Sequence, residues 1–270
     1  MRTRLFHLAL GAAAGMAVVF LLAPVAALVL ATPLRELPSL LRTPEVASAL
    51  VVSLKANVLA NACILGIGTP AAYLLSQRRF RGRTAVLTAI ELPLVLPPAV
   101  AGIALLSLFG ALGLLGPLLL EHGIAIPFTQ AAVVLAVTFV AAPYYLRAAV
   151  GAFDAVDPVQ LDAARDLGAS EPAVFRRIAL PLAADGLRTG WALAFARGAG
   201  EFGATLLFAG SVVGVTETLP LAVYAQLDVG LDQSVAVSLL LLGVSAAVLL
   251  VANLPPLWSP GAVRAAAPRW

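Results

Sequence analysis

The chain alternates long apolar blocks with short polar runs, and the lengths of the blocks carry the first inference. A helix that crosses the hydrocarbon of a bilayer needs about 20 mostly apolar residues. Blocks of that order run over Leu5–Leu30, Leu50–Ser76, Thr84–Gly110, Phe128–Val150, Gly186–Gly210 and Leu231–Asn253. The pattern predicts an all-α polytopic membrane protein with about six transmembrane helices. The first block follows a basic start, Met1–Arg4, as the core of a secretory leader would. Its apolar run is well beyond the roughly 7–15 residues of such a core, so it is expected to remain as a first span. Gly110–Pro127 is apolar but short and broken by glycines, and is expected to be an external interfacial or re-entrant segment.

Two blocks are interrupted in ways that a plain anchor does not need. ELPLVLPPAVAG, Glu91–Gly102, sets Pro93, Pro97 and Pro98 in the third block, and each proline removes a backbone donor and kinks or breaks a helix. Broken backbone at membrane depth is tolerated where it lines a cavity or is buried in protein, so the Pro97–Pro98 region is a candidate pathway wall. A kinked helix packed for shape alone is the alternative. In the fifth block small residues recur four apart, Gly186 with Gly190, Ala194 with Gly198 and Ala199 with Gly203, which predicts a closely packed inner helix. Gly198–Gly203, GAGEFG, spells a dinucleotide-binding pattern, but it lies within a helical apolar block with no strand before it, and that reading is rejected.

The densest cluster of charge lies between two apolar blocks, in DAARDLGASEPAVFRRIALP, Asp162–Pro181. Just before it, Asp157, Pro158 and Gln160 form a capping-box pattern that starts a helix near Asp157. Gly168 can take the left-handed conformation that ends it. Ser170 and Pro172 then restart a helix that is expected to run to about Ile178 before Pro181 stops it. The surface predicted for this helix–turn–helix has Ala163 and Ala164 at its centre and Asp162, Arg165, Asp166, Glu171, Arg176 and Arg177 around them. A small centre with a charged rim suits docking to a soluble partner.

Composition narrows the chemistry. Apolar residues make up 61% of the chain and charged residues 11%, against about 25% charged in soluble domains. A single cysteine, Cys63, and two histidines, His7 and His122, are too few for a disulfide framework or a Cys/His metal cluster, and Cys63 is expected to be a small buried apolar side chain. The only lysine is Lys55, and it does not fall in a P-loop pattern, so any ATP is expected to be bound by another chain and no cofactor by this one. The net charge of +3 comes from short clusters beside apolar segments, a pattern of membrane topology and not of nucleic-acid binding. With six crossings, Arg2, Arg4, Arg78, Arg79, Arg81, Arg83, Arg147, Arg165, Arg176, Arg177, Arg188, Arg264 and Arg269 fall on one side, and Arg35 and Arg42 on the other. Both termini and the Asp162–Pro181 loop are therefore expected in the cytoplasm.

Lys55, Glu91, Arg197 and Glu201 fall in or near the apolar blocks, where a charge costs about 2.5–3.5 kcal/mol at a helix centre. They must face protein, water or one another. Arg197 and Glu201, four apart, fit either a mutual ion pair or two charges beside an anion route. An intramembrane enzyme would need paired aspartates, a Ser/His pair or a metal motif within the spans, and none is visible. A passive anchor would need neither the interrupted spans nor the docking loop.

The Asp162–Pro181 loop resembles the cytoplasmic EAA loop of ABC importer permeases: Glu-Ala-Ala, three residues, Gly, nine residues, then Ile-x-Leu-Pro. Asp162, Ala163, Ala164, Gly168, Ile178, Leu180 and Pro181 stand at those places, with Asp162 in place of Glu. From about Leu50 to Leu250 the chain is also similar to the molybdate/tungstate branch, close to the sulfate/thiosulfate branch. The stretches that carry this are Glu91–Gly102, Phe195–Gly210 and TETLPLAVY, Thr216–Tyr224. The resemblance implies a type I importer permease in which residues 1–49 hold the first helix and an external loop. Residues 50–253 form the core, 151–185 its coupling loop, and 254–270 a short cytoplasmic tail. It implies two permease copies around one pathway, two ATPase subunits on the coupling loops and an external substrate-binding protein. Pathway lining is then expected at Pro97, Pro98, Arg197, Glu201 and Thr205.

Overall fold

The structure, a computed structural model, describes residues 2–32, 37–78, 80–228 and 230–253. Arg35, Arg79, Arg264 and Arg269, used above for orientation, and the tail 254–270 lie outside the described residues. In order, the helices are α1 (Arg2–Ala31), α2 (Leu37–Leu41), α3 (Pro44–Gln77), α4 (Arg83–Val95), α5 (Pro98–Phe109), α6 (Gly116–Glu121) and α7 (Gln130–Asp154). After these come α8 (Pro158–Asp166), α9 (Glu171–Val174), a π-helical turn (Phe175–Ala179), α10 (Leu180–Ala199), α11 (Gly203–Ala209), α12 (Leu219–Gln226) and α13 (Leu231–Asn253). Among the described residues there is no strand.

Among the described residues four helices, α1, α3, α7 and α13, are long and apolar enough to cross a bilayer, and α4 with α5 forms a fifth span only as a bent pair. Local chemistry sets the starts of the two central ones. Thr43 accepts the Val46 N–H at 3.4 Å ahead of Pro44, and Thr129 accepts the Ala132 N–H at 3.4 Å. α3 then threads three layers of core. Val46 and Ala49 pack with Leu219 and Val237; Ala56 and Ala60 with α5, α7 and α11; Ile64, Ala72 and Leu75 with α7 and the Asp162–Pro181 region. Alanine at these contacts lets the backbones approach closely, as helices in lipid require. Large apolar side chains such as Phe20, Ile67 and Val95 point outward, a surface that suits hydrocarbon.

The structure corrects several expectations. The third block is two helices bent by 114°. Leu96 and Pro97 each precede a proline and are held extended, whereas Pro93 sits inside α4 without breaking it. The fifth block is not one helix either: α10 ends at Ala199, residues 200–202 turn, and α11 follows. Its charges, Asp185, Arg188 and Arg197, make it less apolar than the other spans. Pro181 does not stop the preceding helix. The π-turn lets the Leu180 N–H reach back to the Phe175 carbonyl, and this wider turn takes the proline ring without interruption. Cys63 is exposed on α3 and not buried, since a small thiol is tolerated at a surface as well as in a core. Gly110–Pro127 folds as a tight glycine turn followed by α6 and does not cross. A side chain at Gly116 would collide with the Gly110 carbonyl.

Candidate functional site

The polar loop folds as a capped hairpin. Asp157 Oδ1 accepts the Val159 N–H at 2.9 Å and starts α8, but no return bond from the Gln160 side chain occurs among the described residues. At the other end the Ala169 N–H bonds the Ala164 carbonyl at 3.0 Å and the Gly168 N–H bonds the Arg165 carbonyl at 2.8 Å, a Schellman closure. Gly168 takes φ +82°, and a Cβ there would meet nothing within 4 Å. The turn therefore needs glycine for its backbone while leaving open space outside it.

The family-pattern residues divide into two groups. Asp162, Ala163 and Gly168 are exposed, beside Val159 and Leu167, whereas Ala164 is half-buried against the core. Ile178 and Leu180 also pack on that core, with Leu161 and Val174 inserted beside them, and Pro181 lies within the continuing helix. One group offers a surface and the other fastens it to the bundle. Arg165, expected on the rim, turns inward across the hairpin. Its Nε lies 2.8 Å from Glu171 Oε1 and its Nη2 3.2 Å from Oε2, while Nη1 lies 2.8 Å from Asp162 Oδ1. Arg165 holds the Glu171 carboxyl below the usual carboxylate range. Below the hairpin Tyr73, Phe153 and Phe175 stack with centroids 4.8–6.3 Å apart, a cluster that sequence spacing alone does not reveal.

The two candidate pathway regions meet. A Cβ on Gly203 at the start of α11 would lie 2.7 Å from Pro98 Cβ, and one on Gly102 of α5 would lie 2.8 Å from Leu207 Cβ. Pro97 and Pro98 are exposed, and Thr205 is fully buried. Arg197 Nη2 lies 2.7 Å from Glu201 Oε2, so the ion pair is formed, and Glu201 Oε1 accepts the Ala204 N–H at 2.8 Å. The carboxylate thus occupies the start of α11. Close packing brings α10 to this point, with Gly186 against Ala152, Gly190 against Ala148 and Gly198 against Asn57 and Val137. Asn57 donates to the Phe195 carbonyl at 3.1 Å and accepts from Asn61 at 2.8 Å. This polar pair was missed, though two asparagines four apart in an apolar block are a usable signal. Of the other charges in or near the apolar blocks, Glu91 lies 3.6 Å from Arg147, and Lys55 is exposed on α3.

Residues 64–255 match the model of the binding-protein-dependent transport system inner membrane component family. The chain belongs to that family. This inner membrane component is 44% identical over 233 residues, 86% of its length and 88% of the relative's, to the molybdenum transport system permease protein ModB of Mycobacterium tuberculosis. It is 39% identical to a probable molybdenum ABC transporter permease protein of Haloferax volcanii, over 89% of this chain and 87% of that one. Its fold is that of solved importer subunits. It aligns with a bacterial alginate ABC transporter in complex with its pentasaccharide-bound periplasmic protein at TM-score 0.76 and 15% identity, over 93% of each chain. With the MetNI methionine ABC transporter the TM-score is 0.58 at 19% identity, over 82% of this chain and 95% of that one.

Proposed function

We propose that this chain is the membrane-spanning permease subunit of an ATP-driven importer for an oxyanion, molybdate or tungstate, and that it hydrolyses no ATP itself. The observation that carries the substrate is the 44% identity, over most of both chains, to a protein named for molybdenum transport. Two copies in the membrane would enclose the pathway, lipid would cover the outer apolar faces, and both termini would be cytoplasmic. A loaded external binding protein would deliver the anion. ATP, bound by a separate ATPase and not by this chain, would close two ATPase subunits on the exposed Asp162–Ala163–Gly168 faces. Ile178, Leu180 and Pro181 would carry that motion into α10, and so to the Arg197–Glu201 break and the Pro97–Pro98 wall beside it. The cycle is alternating access, in which ligands with different affinities for two states shift the population between them. Thr205 would join the pathway wall in the other state.

The test is co-purification of the chain with its candidate ATPase, wild type against Gly168→Arg, then ATPase activity in liposomes with a molybdate-loaded binding protein. At Gly168 an added Cβ meets no atom of this chain within 4 Å but is strained by the left-handed backbone, φ +82°, so Gly168→Ala, which adds the strain without the bulk, is the control that assigns a loss to the docked partner. Stimulated hydrolysis in the wild type and lost assembly or stimulation in the variant are expected. Stimulation by a sulfate-loaded partner alone would leave the importer and overturn the substrate. Absence of assembly with any ATPase would overturn the importer.

A further inference from the structure

α8 has a single buried side chain, Leu161. Beneath the helix lies a cavity of about 600 Å³, lined by Ser76, Gln77, Arg83, Asp154, Pro158 and Arg165 among others. A helix held to the core only by Leu161 and the small, half-buried Ala164, with a cavity beside them, can pivot. What opposes the pivot is Arg165, which joins three places at once: its own position on α8, Asp162 one turn earlier and, through a two-pronged contact, Glu171 on the far side of the Gly168 turn. A planar guanidinium that meets a carboxylate through two nitrogens fixes direction as well as distance, which a point charge does not. Glu171 opens the helix that runs on through the π-turn and α10 to Ala199, so the clamp joins the exposed helix to the element that reaches the Arg197–Glu201 break.

We propose that Arg165 is a positioning residue that fixes the angle of α8 against the α9–α10 helix, so that displacement of α8 is delivered to α10 and not lost in a hinge at Gly168. The inference rests on the reading of this loop as the ATPase contact.

The first test needs no partner. Spin labels at Ala163 and Leu193, in a Cys63→Ala background in lipid nanodiscs, report the distance from α8 to α10. With the labelled chain diluted into unlabelled chain so that only distances within one copy are read, the wild type is expected to give one narrow distribution, and Arg165→Ala and Arg165→Lys each one at least about twice as wide, because lysine keeps the charge but loses the fork. Unchanged widths in both variants would overturn the clamp. The second test uses the assembled complex in liposomes and reads the ratio of hydrolysis with loaded binding protein to hydrolysis without it. That ratio is expected to fall about tenfold in Arg165→Ala and partly in Arg165→Lys, whereas a purely structural role would lower the thermal midpoint and leave the ratio intact, overturning the positioning role. A wild-type complex that no binding protein stimulates would sink the importer reading, and the distance measurement would still decide the clamp.

Discussion

Two arginine–carboxylate pairs of nearly equal length do different work in this molecule. Arg165 and Glu171 meet at 2.8 Å with the glutamate side chain 67% exposed, and Arg197 and Glu201 meet at 2.7 Å with that side chain 1% exposed. Water screens the first, so it contributes little to stability and its value is in geometry. In the second the carboxylate has no water to fall back on, whereas Arg197 keeps a quarter of its side chain exposed, so the glutamate depends on the pair more than the arginine does. Glu201 adds a bond to the Ala204 N–H, so the carboxylate also ends the orphan state of a backbone donor at the helix break. Contact distance therefore says little about the energy of an ion pair until its surroundings are known.

The largest test of that contrast is Glu201→Ala, which strands Arg197 and the Ala204 donor. Breaking a fully buried pair from one side costs about 3–5 kcal/mol, an upper bound here because Arg197 is 25% exposed, so thermal unfolding in detergent should show a clear drop. Glu201→Gln keeps an acceptor for Ala204 and should lose less. If Glu201→Ala unfolds at the wild-type temperature, the pair is not buried in the membrane form.

The two glycines that serve these regions sharpen the comparison at intermediate size. A Cβ on Gly198 would lie 2.6 Å from Asn57 Oδ1 and 2.8 Å from Val137 Cγ1, so Gly198→Val overpacks the α3–α7–α10 contact at a cost of about 1–3 kcal/mol. Gly168→Ala meets no such crowding and bears only the strain of a left-handed backbone, about 1–2 kcal/mol. Thermal midpoints should rank the variants in that order. The reverse order would mean that the hairpin turn, and not the helix contact, is the tighter constraint.

The same contrast explains what was legible in the chain. Four of the six apolar blocks were, because lipid imposes a length on an unbroken span, and so was the hairpin, because Asp157, Pro158 and Gly168 act within a few residues. The bend at Leu96–Pro97 was partly legible, since each of two consecutive prolines disfavours the helical region for the residue before it, although single prolines at Pro93 and Pro181 are accommodated within helices. The passage of the helix through Pro181 was not, because it depends on a π-turn at Phe175–Ala179 that packing of Phe175 against Tyr73 and Phe153 accompanies. The inward turn of Arg165 and the closeness of Gly198 to Asn57 were not either, since both join side chains that the fold brings together. Within the site, the capped hairpin could be read from local chemistry and the interior break only from the assembled helices.

The smallest effects are in pH, and they separate exposed from buried carboxylates by sign. Glu217, in the loop before α12, is 5% exposed, and its Oε2 has no hydrogen-bond partner among the described residues. Burial, with a smaller push from the charge on Glu45, raises its pKa above the ordinary glutamate value. The folded state then binds more protons than the unfolded one, so this group's contribution to stability is complete below about pH 4.3 and falls as pH rises through the raised value. Glu171 is opposite: its pKa is lowered by Arg165, and its contribution is present above about pH 4.3 and is lost as pH falls through the lowered value. Glu217→Gln should therefore raise the thermal midpoint at pH 7 relative to wild type and bring the two together near pH 4. Glu171→Gln should lower the midpoint slightly at pH 7 and converge with wild type only in stronger acid. Midpoints that shift in the same direction for both variants at pH 7 would show that burial does not set the sign.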